Sequence, residues 1–334
     1  MTRLCACLLL AGLAGCGDAS SPDRKISPRR RRRPGPKAVT SLQKPDIQSA
    51  TSLERLGASI TRIEGKVVMV NFQRTEITDA EMVHLADLSH LKSLDLYSSL
   101  VSDAGLVHLA NLDSLQSLGL GKTRITDAGF VHLLELRNLQ TLNLNGTRVT
   151  DAGLVHLAGF QQLRSLNLVG TSISDNGLVQ LKTMTELQTL SLPSQITDAG
   201  LAHLVQLNTL KILSLPRRIT NTGLRHLKGL DRLQTLSVGG VRITDAGLVH
   251  LVGLTSLRNL YLFVPEITDA GLAHLCQLTK LQSLSCAGSR ITDAGLHHLE
   301  GLRRLQFLDI ARTQVTGTGL AELRKKLPKC NINH

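Results

Sequence analysis

The sequence predicts an α/β solenoid, a horseshoe with a parallel concave sheet and convex helices, because two periodicities meet inside every repeat. Near-copies of Ile243-Thr-Asp-Ala-Gly-Leu-Val-His-Leu251 recur from Ile77 to Gly319 at intervals of 24, occasionally 23, residues. Ahead of each copy stands Leu-x-x-Leu-x-Leu, as in Leu139, Leu142 and Leu144. Leu142 and Leu144 alternate with Thr141 and Asn143, the period of a short strand with one buried face. Asp151 then stands where a helix N-cap would, its carboxylate suited to the free N–H groups of a first turn. Leu154 and Leu157, three apart, share one face of the helix that follows and point back at the strand leucines. No unit can bury that face alone, so stacking of neighbours completes the core, and each helix is a crossover between parallel strands.

A repeat of this length and leucine spacing resembles the leucine-rich repeat family, and eleven consecutive units carry the pattern. The T-D-A-G-L-x-x-L phrase is similar to the cysteine-containing subclass known from F-box ubiquitin-ligase adaptors, and also to leucine-rich repeat lipoproteins of environmental bacteria. The subclass cysteine is here mostly His or Ala, with Cys only at Cys276. The resemblance implies a non-enzymatic interaction scaffold. Its subclass also implies a substrate-recognition subunit for ubiquitin-dependent degradation, which needs an F-box domain ahead of the repeats; residues 17–49 are too polar to form one.

Taken in order, the chain divides into five parts. Residues 1–15 read as a lipoprotein signal peptide: Arg3, an apolar run Leu4–Leu13 too short to span a bilayer, then Leu13-Ala-Gly-Cys16, which resembles a lipobox. The resemblance implies cleavage before Cys16 and a diacylglycerol on its thiol. Residues 16–49 read as a disordered tether containing Arg29–Arg33 and Pro34-Gly-Pro36. Near a membrane those arginines would attract anionic head groups; as an isolated patch they would suit nuclear import or nucleic acid, and as a plain linker they keep the chain extended. Residues 50–66 read as an N-terminal cap. It comprises a short helix opening on Thr51-x-x-Glu54, a strand Ile60–Ile63, and a turn at Glu64-Gly65-Lys66 into the first repeat strand. Residues 67–326 hold the eleven repeats, and 327–334 supply a capping strand.

The 334 residues are 42% apolar but only 2% aromatic, so leucine does the packing. Of the net charge of +12, residues 1–46 hold +7, from ten Lys/Arg against three Asp. Over half the excess is therefore on the tail, and nucleic acid is not the expected partner of the repeats.

Any residue type that recurs at one repeat position forms a ladder. The aspartates from Asp79 to Asp293 are expected as helix caps. The histidines His84, His108, His132, His156, His203, His226, His250, His274 and His298 are expected on a solvated convex face, gaining charge as pH falls through ~6.5. Helices ~8–10 Å apart cannot bring two imidazoles to a zinc ion, so no metal site and no cofactor is expected.

Candidate binding residues are Arg124, Arg148, Arg218, Arg242 and Arg290, which share one position on the strand-to-helix loop, with Lys122, Arg217 and Arg312 beside it. Like charges in adjacent units repel unless splayed or bridged by an anion. The small polar outward strand positions, among them Asn143, Asn167, Ser191, Ser214, Ser237 and Ser285, are interrupted by Tyr261, Phe263 and Phe307, a second candidate surface unless the C-terminal cap covers it. Cys286 and Cys330 replace core leucines. The expectation is a monomeric, exported, lipid-anchored envelope scaffold that binds a protein or an acidic envelope polymer; the alternative is the F-box-like adaptor.

Overall fold

The computed structural model describes residues 44–240 and 242–334. The expected signal peptide, Cys16 and the arginine run lie outside them.

Strands of mostly three residues follow one another in a single sheet of thirteen whose spatial order is the sequence order. They are β1 (Ser59–Ile63), β2 (Lys66–Asn71), β3 (Ser93–Asp95), β4 (Ser117–Gly119), β5 (Thr141–Asn143), β6 (Ser165–Asn167) and β7 (Thr189–Ser191). They continue with β8 (Ile212–Ser214), β9 (Thr235–Gly239), β10 (Asn259–Phe263), β11 (Ser283–Ser285), β12 (Phe307–Asp309) and β13 (Asn331–Asn333). β1 pairs antiparallel with β2 through a turn at Glu64 and Gly65, both at positive φ. Every later pair is parallel and in register, Leu118 beside Leu142 beside Leu166. The fold is an α/β leucine-rich repeat solenoid.

The N-terminal helix differs from its expected start. It runs Lys44–Arg55, so residues 44–49 belong to the cap and not to the tether. Pro45 falls in its first turn, where a missing N–H breaks no helical bond. Ala50 and Leu53 are fully buried, and the Ser49 hydroxyl donates to Asp87 Oδ2 at 3.4 Å. Thr51 and Glu54 therefore lie inside the helix, where packing against the first repeat extends it past the local capping signal.

The convex segments are tighter than expected. Glu81–Leu85, Asp103–Leu109, Asp127–His132 and Gly177–Thr183 are 3₁₀ helices, and Asp151–Leu154 makes one α turn before Val155–Gly159 tightens to 3₁₀. Only Asp269–Leu275 and the final Gly317–Lys326 stay α-helical for seven residues or more after the cap. With three residues per turn, side chains at i and i+3 eclipse. Leu154, Leu157, Phe160, Leu163 and Leu166 follow at that spacing and are all buried. One apolar row, four leucines and Phe160, thus runs from convex turn to concave strand.

The aspartate ladder was expected to cap its own helices, and it does not. The cap is the preceding Thr or Ser: Thr150 Oγ1 accepts from the Ala152 N–H at 3.3 Å. Each aspartate reaches into the next unit instead. The Thr150 N–H donates to Asp127 Oδ1 at 2.8 Å, and the Thr150 hydroxyl donates to Asp127 Oδ2 at 2.6 Å. The same two bonds recur from Ser102 on Asp79 to Thr316 on Asp293. Asn221 keeps the link with its amide, Oδ1 accepting from the Thr244 N–H and Nδ2 donating to Thr244 Oγ1, both at 2.9 Å. This link explains the glycine of the phrase: a Cβ at Gly153 would stand 2.5 Å from Asp127 Oδ1. The first unit has no predecessor, and there Glu81 Oε2 accepts from both the Thr78 N–H, at 2.8 Å, and the Thr78 hydroxyl, at 2.6 Å.

Removing the carboxylate by Asp127→Ala should cost about 1.5–3 kcal/mol, the usual worth of hydrogen bonds to a charged group. Gly153→Ala should cost about 1–3 kcal/mol through crowding. The methyl group that Gly153→Ala introduces clashes with the very carboxylate that Asp127→Ala removes. The double variant should therefore be less destabilised than the sum, measured by urea unfolding. Strict additivity would refute the contact.

At the two ends of the ladder, the hydrogen bonds from Thr78 and Thr316 hold the Glu81 and Asp293 carboxyls below their ordinary values. A depressed folded pKa gives stability that is present above the unfolded value and lost as pH falls through the folded one. The protection of the terminal units against hydrogen exchange, relative to the intrinsic rate at each pH, should therefore fall as pH drops below the carboxylate range. Glu81→Gln should flatten that response in the first unit only.

Candidate binding surfaces

The strand-to-helix loop is fixed by the same stacking that makes the sheet. Its backbone forms a ladder of its own: the Arg124 N–H donates to the Val101 carbonyl at 2.9 Å and the Arg148 N–H to the Ile125 carbonyl at 3.0 Å. Side chains at this position therefore line up down one rim. Arg124, Arg148, Arg218, Arg242 and Arg290 are all exposed there. The structure resolves the column into two doublets, Arg124 with Arg148 and Arg218 with Arg242, separated by Ser172 and Gln195.

Arg290 stands apart from them. Its guanidinium grips both oxygens of Glu266 at 3.1 Å, one unit earlier in the same column. It is therefore not the unpaired member of the rim that its repeat position suggests; aligning the column places Glu266 beside it. Among the described residues no ion pair engages Arg124, Arg148, Arg218 or Arg242.

Two of the basic neighbours sit in a costly backbone conformation. Lys122 and Arg312 have φ of 54° and 61°, at the place where Gly146 and Gly170 stand in other units. Left-handed backbone costs a residue with a Cβ about 1–2 kcal/mol. The Lys122 ammonium lies 5.5 Å from the centre of the Tyr97 ring, which offsets part of it.

On the concave face, Phe263 is 51% and Phe307 is 37% exposed, and Tyr261 is half-buried. The C-terminal strand therefore does not cover them. Their registers place Tyr261 between Ser237 and Ser285, Phe263 beside Gly239, and Phe307 between Ser283 and Asn331. The rings flank a serine floor on β11 instead of meeting each other. Several polar positions expected to be free are committed internally. Asn143 Oδ1 accepts from the Asn145 N–H at 3.0 Å, Asn167 Oδ1 from the Val169 N–H at 3.1 Å, and the Ser285 hydroxyl donates to Asp309 Oδ2 at 3.0 Å. These side chains turn the chain out of the strand, and the binding capacity of the face moves to its C-terminal aromatics.

The histidine ladder is less solvated than expected. On a 3₁₀ wheel the histidine lies 120° from the leucine row on one side and the residue before it 120° away on the other. Val83, Val107, Val131 and Val155 are accordingly exposed, while His84, His108, His132 and His156 are half-buried between units. His156 stacks on Phe130 with ring centres 6.2 Å apart. Burial and the adjacent Arg225 hold His226 below its ordinary value, against the pull of Asp198. His226 therefore takes up a proton less readily than an ordinary imidazole.

Of the cysteines, Cys286 is buried and its thiol is pushed up to about 12 by burial, with Asp309 adding to the effect. Cys276 is exposed, and Cys330 is half-buried, packed against the end of the core. No group of three or more His, Cys, Asp and Glu among the described residues is arranged to hold a metal ion.

Residues 135–158 match the family model described as Leucine Rich repeat. No curated protein matches the sequence. Among solved structures, an internalin from Listeria monocytogenes is 22% identical, with a TM-score of 0.54, covering 86% of this chain and 94% of its own. A leucine-rich repeat protein of Leptospira interrogans is 19% identical, with a TM-score of 0.50, over 75% of this chain and 74% of its own. The Arabidopsis receptor kinase HAESA, in complex with the peptide hormone IDA and the co-receptor SERK1, is 17% identical with a TM-score of 0.51; the match covers 80% of this chain and half of that one. At these identities the likeness is one of fold.

Proposed function

We propose that this chain is a leucine-rich repeat interaction scaffold, tethered by lipid at Cys16 to a bacterial cell envelope, whose basic loop rim binds an acidic partner. The observation that carries the reading is the pair of arginine doublets, the first held in line by the loop ladder and both lacking acidic partners among the described residues. Side chains that repel at unit spacing lie well within the ~8 Å Debye length, so an anion lowers their energy by bridging them. The partner is an acidic envelope polymer or an acidic protein surface. Phe263 and Phe307 supply apolar anchors for a protein partner, since aromatics and arginine dominate interface hot spots.

Lipid anchoring rests on the sequence of the first sixteen residues, an apolar run followed by Leu13-Ala-Gly-Cys16. Intact mass of the protein from its own cells tests it: a chain starting at Cys16 with added acyl mass, partitioning into detergent, is expected. A water-soluble chain that keeps Met1 would reject the anchor and favour the F-box-like substrate-recognition reading.

The rim is tested separately. Arg124→Glu with Arg148→Glu should weaken binding to an isolated anionic envelope polymer by about tenfold or more at low salt, and the loss should shrink as salt is raised. Equal binding by both proteins would sink the reading.

A further inference from the structure

The units beginning at Leu187 and Leu210 are each one residue short, and the loss falls in the rim loop, where Pro193 and Pro216 appear. In most full-length units a backbone N–H closes this loop onto the unit before, as Ser172 does on the Val149 carbonyl at 2.9 Å and Arg290 on the Ile267 carbonyl at 2.8 Å. In the first short unit a side chain does so instead. Gln195 Nε2 donates to the carbonyls of Thr171, at 2.8 Å, and Ile173, at 2.6 Å, and seals the gap. In the second short unit Arg218 takes the place of Gln195 and is exposed. A recess of about 520 Å³ opens there, lined by Thr197, Asp198, Arg217, Arg218, Thr220 and Arg242.

Its charge is lopsided. Asp198, the acidic group in the lining, is committed to the Thr220 N–H at 2.9 Å and the Thr220 hydroxyl at 2.5 Å. Glu266, the acidic neighbour of Arg242 in the rim column, is taken by Arg290. Among the described residues no hydrogen bond or ion pair engages the three guanidiniums of the recess. Gly240 allows the loops to close in at this point, since a Cβ there would stand 3.0 Å from the Arg217 carbonyl oxygen.

We propose that this recess binds a phosphate group, carried either by a small organic phosphate or by a phosphate-containing envelope polymer. The inference rests on the reading of the rim as an anion-binding surface and narrows it to one place and one chemistry. Guanidinium forks match the oxygens of phosphate in pairs, and three forks against one committed carboxylate leave a net charge of two to be met. A phosphomonoester brings nearly two negative charges and three acceptor oxygens, where a carboxylate brings one charge and two oxygens; a phosphodiester chain meets the same charge with two successive phosphates or with its terminal monoester. The recess falls within the ~300–1,000 Å³ of small-ligand sites, so it has room for a glycerol- or sugar-sized substituent.

The test is calorimetric titration of the full chain with inorganic pyrophosphate, glycerol phosphate, a poly(glycerol phosphate) and poly-glutamate. The variants are Arg218→Gln/Arg242→Gln and, as a control at two exposed arginines outside the rim, Arg303→Gln/Arg304→Gln, each checked for an unchanged circular dichroism spectrum. Pyrophosphate binding should fall about tenfold or more in the recess variant, the loss of one charged hydrogen bond or more, and stay within about twofold in the control. Glycerol phosphate binding as tightly as pyrophosphate would assign the site to small phosphates, and binding of the polymer alone to phosphodiester chains. Equal losses in both variants would overturn the recess as a distinct site. So would poly-glutamate binding with no phosphate binding, which leaves the rim reading standing; failure of every anion removes both.

Discussion

Each aspartate of the repeat holds the unit that follows it, and the solenoid depends on that displacement. Leucine burial favours stacking without direction, because one apolar face fits against another in more than one offset. The aspartate link is directional. One carboxylate takes a backbone N–H and a hydroxyl from a single residue of the next unit, as Asp127 does from Thr150, and so fixes the register of helix on helix. The glycine two residues beyond each aspartate then makes sense as room for the previous unit's carboxylate. A four-residue phrase thus encodes a cap, a link and a seat for a link, and the array ends where one of these is missing: Glu81 substitutes at the start, and Gly317 stands at the aspartate position of the last unit.

The tight convex turns follow from the same economy of length. A 24-residue unit must cross from one strand to the next within one strand spacing, ~4.8 Å, and a 3₁₀ turn keeps every third residue on the inside while doing so. That geometry decides which side chains reach water. It leaves a row of valines on the convex surface and half-buries most of the histidines between units, where His156 stacks on Phe130.

Binding capacity collects where the repetition is broken. The concave polar residues of the regular units are spent on turning the chain, and the buried Thr123, Thr147 and Thr171 hydroxyls on local carbonyls. Apart from the Arg124–Arg148 doublet, what is left over lies in the short units and after them: an arginine whose loop no longer closes, and the aromatics of β10 and β12. The two short loops also show how small the difference is between a sealed and an open unit, since Gln195 and Arg218 occupy equivalent places and only the first turns inward.

The sequence by itself determined the class of fold and the leucine core, because these depend on periodicities that hold within each unit and are repeated in every one. It also contained the 3₁₀ turns, in the unbroken three-residue spacing from Leu154 to Leu166, though a wheel of 3.6 residues hides them. Only the tertiary structure decided which unit each aspartate serves, that Glu266 takes Arg290 out of the rim, and that Phe263 and Phe307 remain exposed beside the cap. It likewise decided that the shortened loop at Arg218 stays open. The first two are contacts between residues about 24 apart on adjacent units, and a side chain's choice between its own unit, the next and solvent is made by distances that stacking alone sets.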